Sequence, residues 1–170
     1  MSAQSPDEVF DVVNADDYVI SQATRAEVHA QGLLHRAVHV FVFNSRGELL
    51  LQKRSRFKDE FPLQWTSSAS GHLDAGETYA DAAVRELQEE LGMTAELEFV
   101  TKLPASPHTA NEHTALFRCV SDATPRIAAE EIERVESFSV NAVQELIAQF
   151  PATVSLPFRS LFQYYREHFA

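Results

Sequence analysis

Hydrophobic and polar positions along the chain fall into short, well-punctuated blocks. Leu34 to Asn44 reads LHRAVHVFVFN, an alternation so dense in apolar residues that it predicts a central strand buried on both faces. Asn44-Ser-Arg-Gly47 is a turn signal and Glu48 to Lys53 a second strand, so the pair predicts a hairpin. Upstream, Val9 to Val13 and Tyr18 to Ser21 are β-branched or aromatic runs split by Asn14 to Asp17, a hairpin-like entry. Thr24-Arg-Ala-Glu27 offers a capping box for a short helix that stops at Gly32. Downstream strands are expected at Leu63 to Ala69, Glu96 to Leu103, Thr114 to Ser121 and Arg134 to Val140. A helix over Val143 to Phe150 is assigned Asn141 as its cap. The terminal helix, Ser160 to Phe169 with Pro157 in its first turn, puts Phe158, Leu161, Phe162, Tyr165 and Phe169 on one core-facing stripe.

The most informative periodic segment is Tyr79 to Leu91. Thr78 is placed to cap it, Asp81 follows at the capping-box spacing, and Gly92 supplies the left-handed residue after its end. At about 100° per residue, Ala80, Val84, Leu87 and Leu91 form a narrow stripe expected to face the core. Glu86, Glu89 and Glu90 fill the neighbouring arc. Like charges three and four residues apart destabilise a helix, and only Arg85 offsets them locally. A hard divalent cation would do so better, because Mg²⁺ takes carboxylate oxygens and keeps waters that substrate phosphates can replace.

Composition narrows the choice of partner. The chain has 170 residues, 45% apolar with twelve Phe, enough for one packed domain, residues 1–170, with residues 1–33 as an N-terminal extension packed on it. A net charge of -11 excludes a long nucleic acid as ligand, since such binders gain affinity from many cationic contacts. Phosphate recognition must therefore be local. Lys53-Arg-Ser-Arg-Phe-Lys58 concentrates four of the fourteen basic residues just before the glutamate helix, where a diphosphate clamp is most useful. The single cysteine, Cys119, fits a small core residue in a reducing compartment. No signal-like start and no membrane-length apolar run is present, so a cytoplasmic protein, monomer or homodimer, is expected.

Gly71, Glu77, Arg85, Glu86, Leu87, Glu89, Glu90, Gly92 and Met93 together resemble a complete Nudix box, the 23-residue loop-helix signature of hydrolases that cleave a nucleoside diphosphate linked to another moiety. The resemblance implies an α/β fold, a Nudix-type α/β/α sandwich with a mixed sheet. It also implies a small diphosphate substrate and a Mg²⁺ cofactor, with Mn²⁺ as a substitute. The metal ligands would be the Gly71 carbonyl, Glu86, Glu89 and Glu90. Glu77 and Arg85 would orient them from behind, and either Glu89 or Glu112 would act as general base.

Upstream of the box, His35-Arg-Ala-Val-His39 through Trp65-Thr-Ser-Ser-Ala-Ser-Gly-His72 is similar to the isopentenyl diphosphate isomerase branch of the same superfamily. Ser70 falls where that branch carries its catalytic cysteine, and Ala110 where it carries a metal-binding carboxylate. Its basic positions fall on Arg54 and Lys58, and Trp65 and His72 are assigned to the substrate cleft. His29, on a short helix, is read as exposed and inert, while a transition-metal site formed by the three histidines His29, His35 and His72 with Glu112 remains open. The alternatives to a hydrolase are thus an isomerase-like enzyme or a non-catalytic diphosphate sensor.

Overall fold

The computed structural model describes residues 5–170. A hairpin of β1 (Val9–Val13) and β2 (Val19–Thr24) leads into α1 (Arg25–Gln31), where Thr24 and Glu27 form the reciprocal capping box and Gly32 closes the helix in the left-handed conformation. β3 (His35–Phe43) is the spine of the main sheet. It pairs in parallel with β8 (Glu112–Val120) along its whole length and antiparallel with β6 (Ala69–His72). β7 (Glu98–Leu103) closes that wing against β8. The second wing is β4 (Leu49–Arg54), flanked by β5 (Trp65–Thr66) and β9 (Ile132–Phe138).

The expected hairpin of β3 and β4 is real at its turn but nowhere else. Only Phe43 and Leu49 pair; beyond them the strands diverge. Ser68 bridges the gap, its hydroxyl accepting from Val42 N at 2.8 Å and donating to the Leu50 carbonyl. This splay opens the sheet at the end where the site is built.

Alternation along β3 supplies two cores. Val38, Val40 and Val42 pack with Ala83, Leu87 and Leu91 of α2 (Tyr79–Leu91). Phe41 and Phe43 face the other way, onto α3 (Val140–Gln149) and the Phe158, Leu161, Phe162 and Tyr165 face of α4 (Leu156–Phe169). Helices therefore cover both faces of a mixed sheet, as the sequence predicts. No helix among the described residues is long and apolar enough to cross a membrane.

Three local expectations are corrected. The buried face of α2 is Ala82, Ala83, Leu87, Glu90 and Leu91, with Ala80 in solvent and Val84 51% exposed. The core arc is rotated by roughly 60° from the apolar stripe, toward the glutamates. Ser139, not Asn141, caps α3, accepting from Ala142 N at 3.1 Å, because the helix starts directly after β9. The aromatic stripe of α4 ends at Phe162 and Tyr165; Phe169 is 43% exposed, beneath the Arg118 guanidinium at 4.8 Å.

Candidate active site

A cavity of about 770 Å³ opens where the two wings diverge. Its floor is one face of the β3, β6 and β8 wing, with Ala37, His39, Ser70, His72 and Glu112; Arg54 and Lys58 come from the opposite wing and the loop after it. Gly71, Arg85, Glu86 and Glu89 bring in the loop-helix signature. Of the sequence-predicted site residues, all but Glu77, Glu90 and Trp65 line the cavity; Glu77 and Glu90 stand behind the lining. Trp65 is buried on the core side, edge-on to Phe138 at 5.3 Å and beneath Arg134, so it supports β5 instead of lining the cavity.

Arg85 is the hub of the carboxylate cluster. Its Nε and Nη2 donate to both oxygens of Glu77 (2.8 and 2.9 Å), its Nη1 to Glu86 (2.7 Å) and Glu89 (3.2 Å), and its Nη2 also to the His72 carbonyl (3.0 Å). The entry loop is thereby fastened to the helix eight residues on, by the fork geometry that suits Arg to carboxylates. Burial works against Glu77's ionisation, but Arg85 and the Asp74 amide hold its carboxyl below the usual range.

Gly71 is required by approach, not by conformation. A Cβ there would lie 2.1 Å from Glu86 Oε1, because that carboxylate folds over the strand backbone. Glu90 is only 2% exposed and is held by Ser70 N at 2.7 Å and by the Gln52 amide at 3.3 Å. Burial, and then the charge of Glu90, push the Glu86 carboxyl well up, with Arg85 only partly opposing; burial likewise raises Glu90. Two crowded, desolvated carboxylates form an all-oxygen donor pair. Such a pair fits a hard divalent cation, which removes the repulsion that protons otherwise relieve.

A second cluster occupies the other end of the floor. Arg25 Nη1 can only donate, so its 3.1 Å contact with His72 Nδ1 places the imidazole proton on Nε2, which donates to Glu112 Oε1 at 2.8 Å. His35 Nδ1 donates to the Leu33 carbonyl at 2.9 Å, turning Nε2 toward Glu112 at 3.4 Å. Burial disfavours the Glu112 charge, yet His72 and His35 override it and hold the carboxyl far below its ordinary range. Burial lowers His72, whereas Glu112 outweighs burial at His35 and raises it. His29 is not inert. Its ring lies 5.7 Å from His35 and 5.5 Å from His72, and one donor atom from each of the three falls within 4.8 Å of the others. One oxygen each of Glu60 and Glu112 and one nitrogen of His72 also lie within 4.8 Å of one another, so a carboxylate stands near the histidines although position 110 is an alanine. Sequence gave no signal for Glu60, Arg25 or Asp59, which come together from loop and helix: Arg25 Nη2 donates to Asp59 Oδ1 at 2.9 Å.

The basic segment divides in two. Lys58 is committed to a nearly buried ion pair with Glu131. Arg54 spends only Nε, on the Glu60 carbonyl at 2.9 Å, and its terminal amino groups have no other partner among the described residues.

A family model described as the NUDIX domain matches residues 33–156. The chain is 40% identical over 145 residues to a Serratia proteamaculans protein named isopentenyl-diphosphate Delta-isomerase, covering 82% of this chain and 79% of that one. It is 39% identical over 131 residues to an uncharacterized Nudix hydrolase of Pseudomonas aeruginosa, covering 76% and 78%. A solved Deinococcus radiodurans structure superposes with a TM-score of 0.81 at 27% identity, over 96% of this chain and all of that one (100%). The NUDIX domain of Shewanella oneidensis NrtR, solved with ADP ribose, shares the fold at a TM-score of 0.64 and 17% identity, over 87% of this chain and 100% of that one. The chain belongs to the Nudix family. Its enzyme class is that of the Nudix hydrolases, which act on phosphorus-containing acid anhydrides and use divalent metals.

Proposed function

We propose that this protein is a Mg²⁺-dependent hydrolase that cleaves the diphosphate linkage of a small nucleoside diphosphate-type substrate. The observation that carries the reading is the crowded pair of carboxylates: Glu86, folded over the Gly71 backbone and tied to the entry loop through Arg85 and Glu77, and Glu90, buried on the Ser70 amide. Gly71, Glu86, Glu89 and Glu90 would hold the cation. When bound it neutralises phosphate charge and makes coordinated water more acidic. Arg54 directs its terminal amino groups at the non-bridging oxygens of the diphosphate. Water adds its oxygen to one phosphorus, the bond from that phosphorus to the leaving oxygen breaks, and Glu89 takes the proton of the water. Glu112 is the poorer base, because His72 and His35 stabilise its charged form and so weaken its proton affinity. Residues 5–33 act as part of the same domain through Arg25, and the free, buried Cys119 agrees with a cytoplasmic setting.

The test is Glu90→Gln. It should lower kcat by about 10²-fold or more on any diphosphate substrate, while calorimetric binding of Mg²⁺ weakens and the fold is kept. Full activity of that variant in Mg²⁺ would end the proposal.

A second reading, an isopentenyl diphosphate isomerase, is favoured by the histidine cluster with Glu112 and Glu60. Ser70 opposes it: a hydroxyl is too weak an acid to protonate an alkene. Proton NMR of isopentenyl diphosphate incubated with the protein and Mg²⁺, Mn²⁺ or Zn²⁺ should show no allylic isomer; its appearance would reverse the ranking of the two readings.

A further inference from the structure

Beyond the carboxylate cluster and the second histidine group, the cavity floor holds one polar ring that neither uses. His39 is only 5% exposed yet lines the cavity. Strand alternation puts it on the same face of β3 as His35 and Ala37, and the antiparallel register sets it opposite Ser70. Cross-strand partners of this kind stand about 5 Å apart, so the His39 ring and the Ser70 hydroxyl are neighbours on the floor.

The proton on this ring can be located by accounting for its partner. His39 Nδ1 lies 2.6 Å from Ser67 Oγ, and Ser67 has no solvent exposure and no other side-chain partner among the described residues. If Nδ1 carried the proton and donated it to Ser67, the serine O–H would be buried with no acceptor. A buried, unsatisfied donor is the costly arrangement, so Ser67 donates and Nδ1 accepts. A neutral imidazole then carries its hydrogen on Nε2, for which the protein provides no acceptor among the described residues. Burial holds the ring neutral, pushing its pKa down to about 4. A histidine serving only the core would have both nitrogens satisfied or apolar surroundings. This one has Glu112, Arg54 and His72 as the charged or titratable groups acting on it.

The geometry points to His39 as a substrate-reading residue: Ser67 fixes its tautomer so that Nε2–H, beside Ser70, donates to an oxygen of the bound diphosphate group. The inference rests on the diphosphate reading above and names a specificity-determining donor within that site. Because the donor is neutral, it orients the substrate without adding a charge.

The test uses the full chain labelled with ¹⁵N-histidine, and imidodiphosphate with Mg²⁺ as a hydrolysis-resistant probe. Long-range ¹H–¹⁵N spectra at pH 7 should show His39 as the Nε2–H tautomer, with that resonance moving as the probe binds. Ser67→Ala should lose the tautomer bias. His39→Leu should weaken probe binding about tenfold or more, the effect of losing a hydrogen bond to a charged group. His39→Gln, which keeps an N–H at similar reach, should stay within about threefold of the wild type. An Nδ1–H tautomer or an imidazolium in the wild type overturns the assignment, and so does probe binding unchanged in a folded His39→Leu. If His39→Leu does not fold, the wild-type spectra, Ser67→Ala and His39→Gln decide. Probe binding that depends on His39, without turnover of any diphosphate, would uphold the donor and sink the hydrolase reading.

Discussion

Replacing Gly71 by Ala should separate chemistry from folding. The glycine is not among the positive-φ residues, so its backbone accepts an L side chain. The obstacle is the Glu86 carboxylate: the new methyl would sit 2.1 Å from Oε1, 2.3 Å from Cδ and 2.8 Å from Oε2. To reach ordinary van der Waals separation the nearer oxygen must retreat by about 1.3 Å. Its anchor is the 2.7 Å bond from Arg85 Nη1, which a retreat of that size breaks. Misplacing one ligand by about 1 Å costs on the order of 10² in rate, so kcat/KM of Gly71→Ala in Mg²⁺ should fall by about that factor. Stability should barely change, because the displaced atoms are the end of a flexible side chain and an alanine restricts the unfolded chain. Gly92→Ala should do the reverse. Gly92 has φ +61° and would bring its Cβ to 3.1 Å from Arg126 Cβ, so the variant should lose about 1–2 kcal/mol, a Tm fall of about 2–8 °C, with kcat/KM nearly intact. Steady-state kinetics and a thermal melt on the two purified variants suffice. A fully active Gly71→Ala would show that the Glu86 carboxylate need not lie where the structure puts it, and the metal-site argument would fail with it.

The raised carboxyls of Glu86 and Glu90 predict a pH-dependent response to metal. The metal-free folded state binds more protons than the unfolded chain, so these groups cost stability as pH rises above the ordinary glutamate range. The Tm gain from Mg²⁺ should therefore be larger at pH 8 than at pH 5.5, and Glu86→Gln should raise the metal-free Tm at pH 8 while losing the Mg²⁺ response; an equal gain at both pH values would contradict this. In the basic segment, Arg54→Ala should raise KM with kcat largely kept, since its contact exists in ground and transition states alike. Lys58→Ala should instead lose stability, about 3 kcal/mol, by leaving Glu131 hidden and unpaired; denaturant melts and kinetics on the two variants would show whether the roles divide in this way.

What could be read from sequence was what local chemistry decides. Thr78 and Gly92 bound α2 because cap geometry is a short-range matter, and Arg85 finds Glu77 because a loop of fixed length folds back on the helix. The phase of the buried arc was misread because alanines flank the glutamates on both sides, and hydrophobicity does not register a carboxylate buried for function, as Glu90 is. Asn141 and Ser139 are both good caps, and the end of β9 chose between them. Glu60 and Arg25 reach the site through long-range contacts that leave no periodic trace. His39 was accessible in principle, since β3 alternation places it with His35, but the Ser67 partner that fixes its proton comes from the loop between β5 and β6.

The central claim is that the carboxylates of α2 hydrolyse a diphosphate, and isotope transfer tests it most directly. A panel of nucleotide and prenyl diphosphates is incubated with the protein in H₂¹⁸O, with Mg²⁺ or EDTA, and the products are read by ³¹P NMR and mass spectrometry. At least one substrate should be cleaved in Mg²⁺ only, with ¹⁸O in a phosphate product and the reaction lost in Glu90→Gln. Cleavage undiminished in EDTA or in Glu90→Gln would contradict the account, as would no cleavage anywhere in the panel.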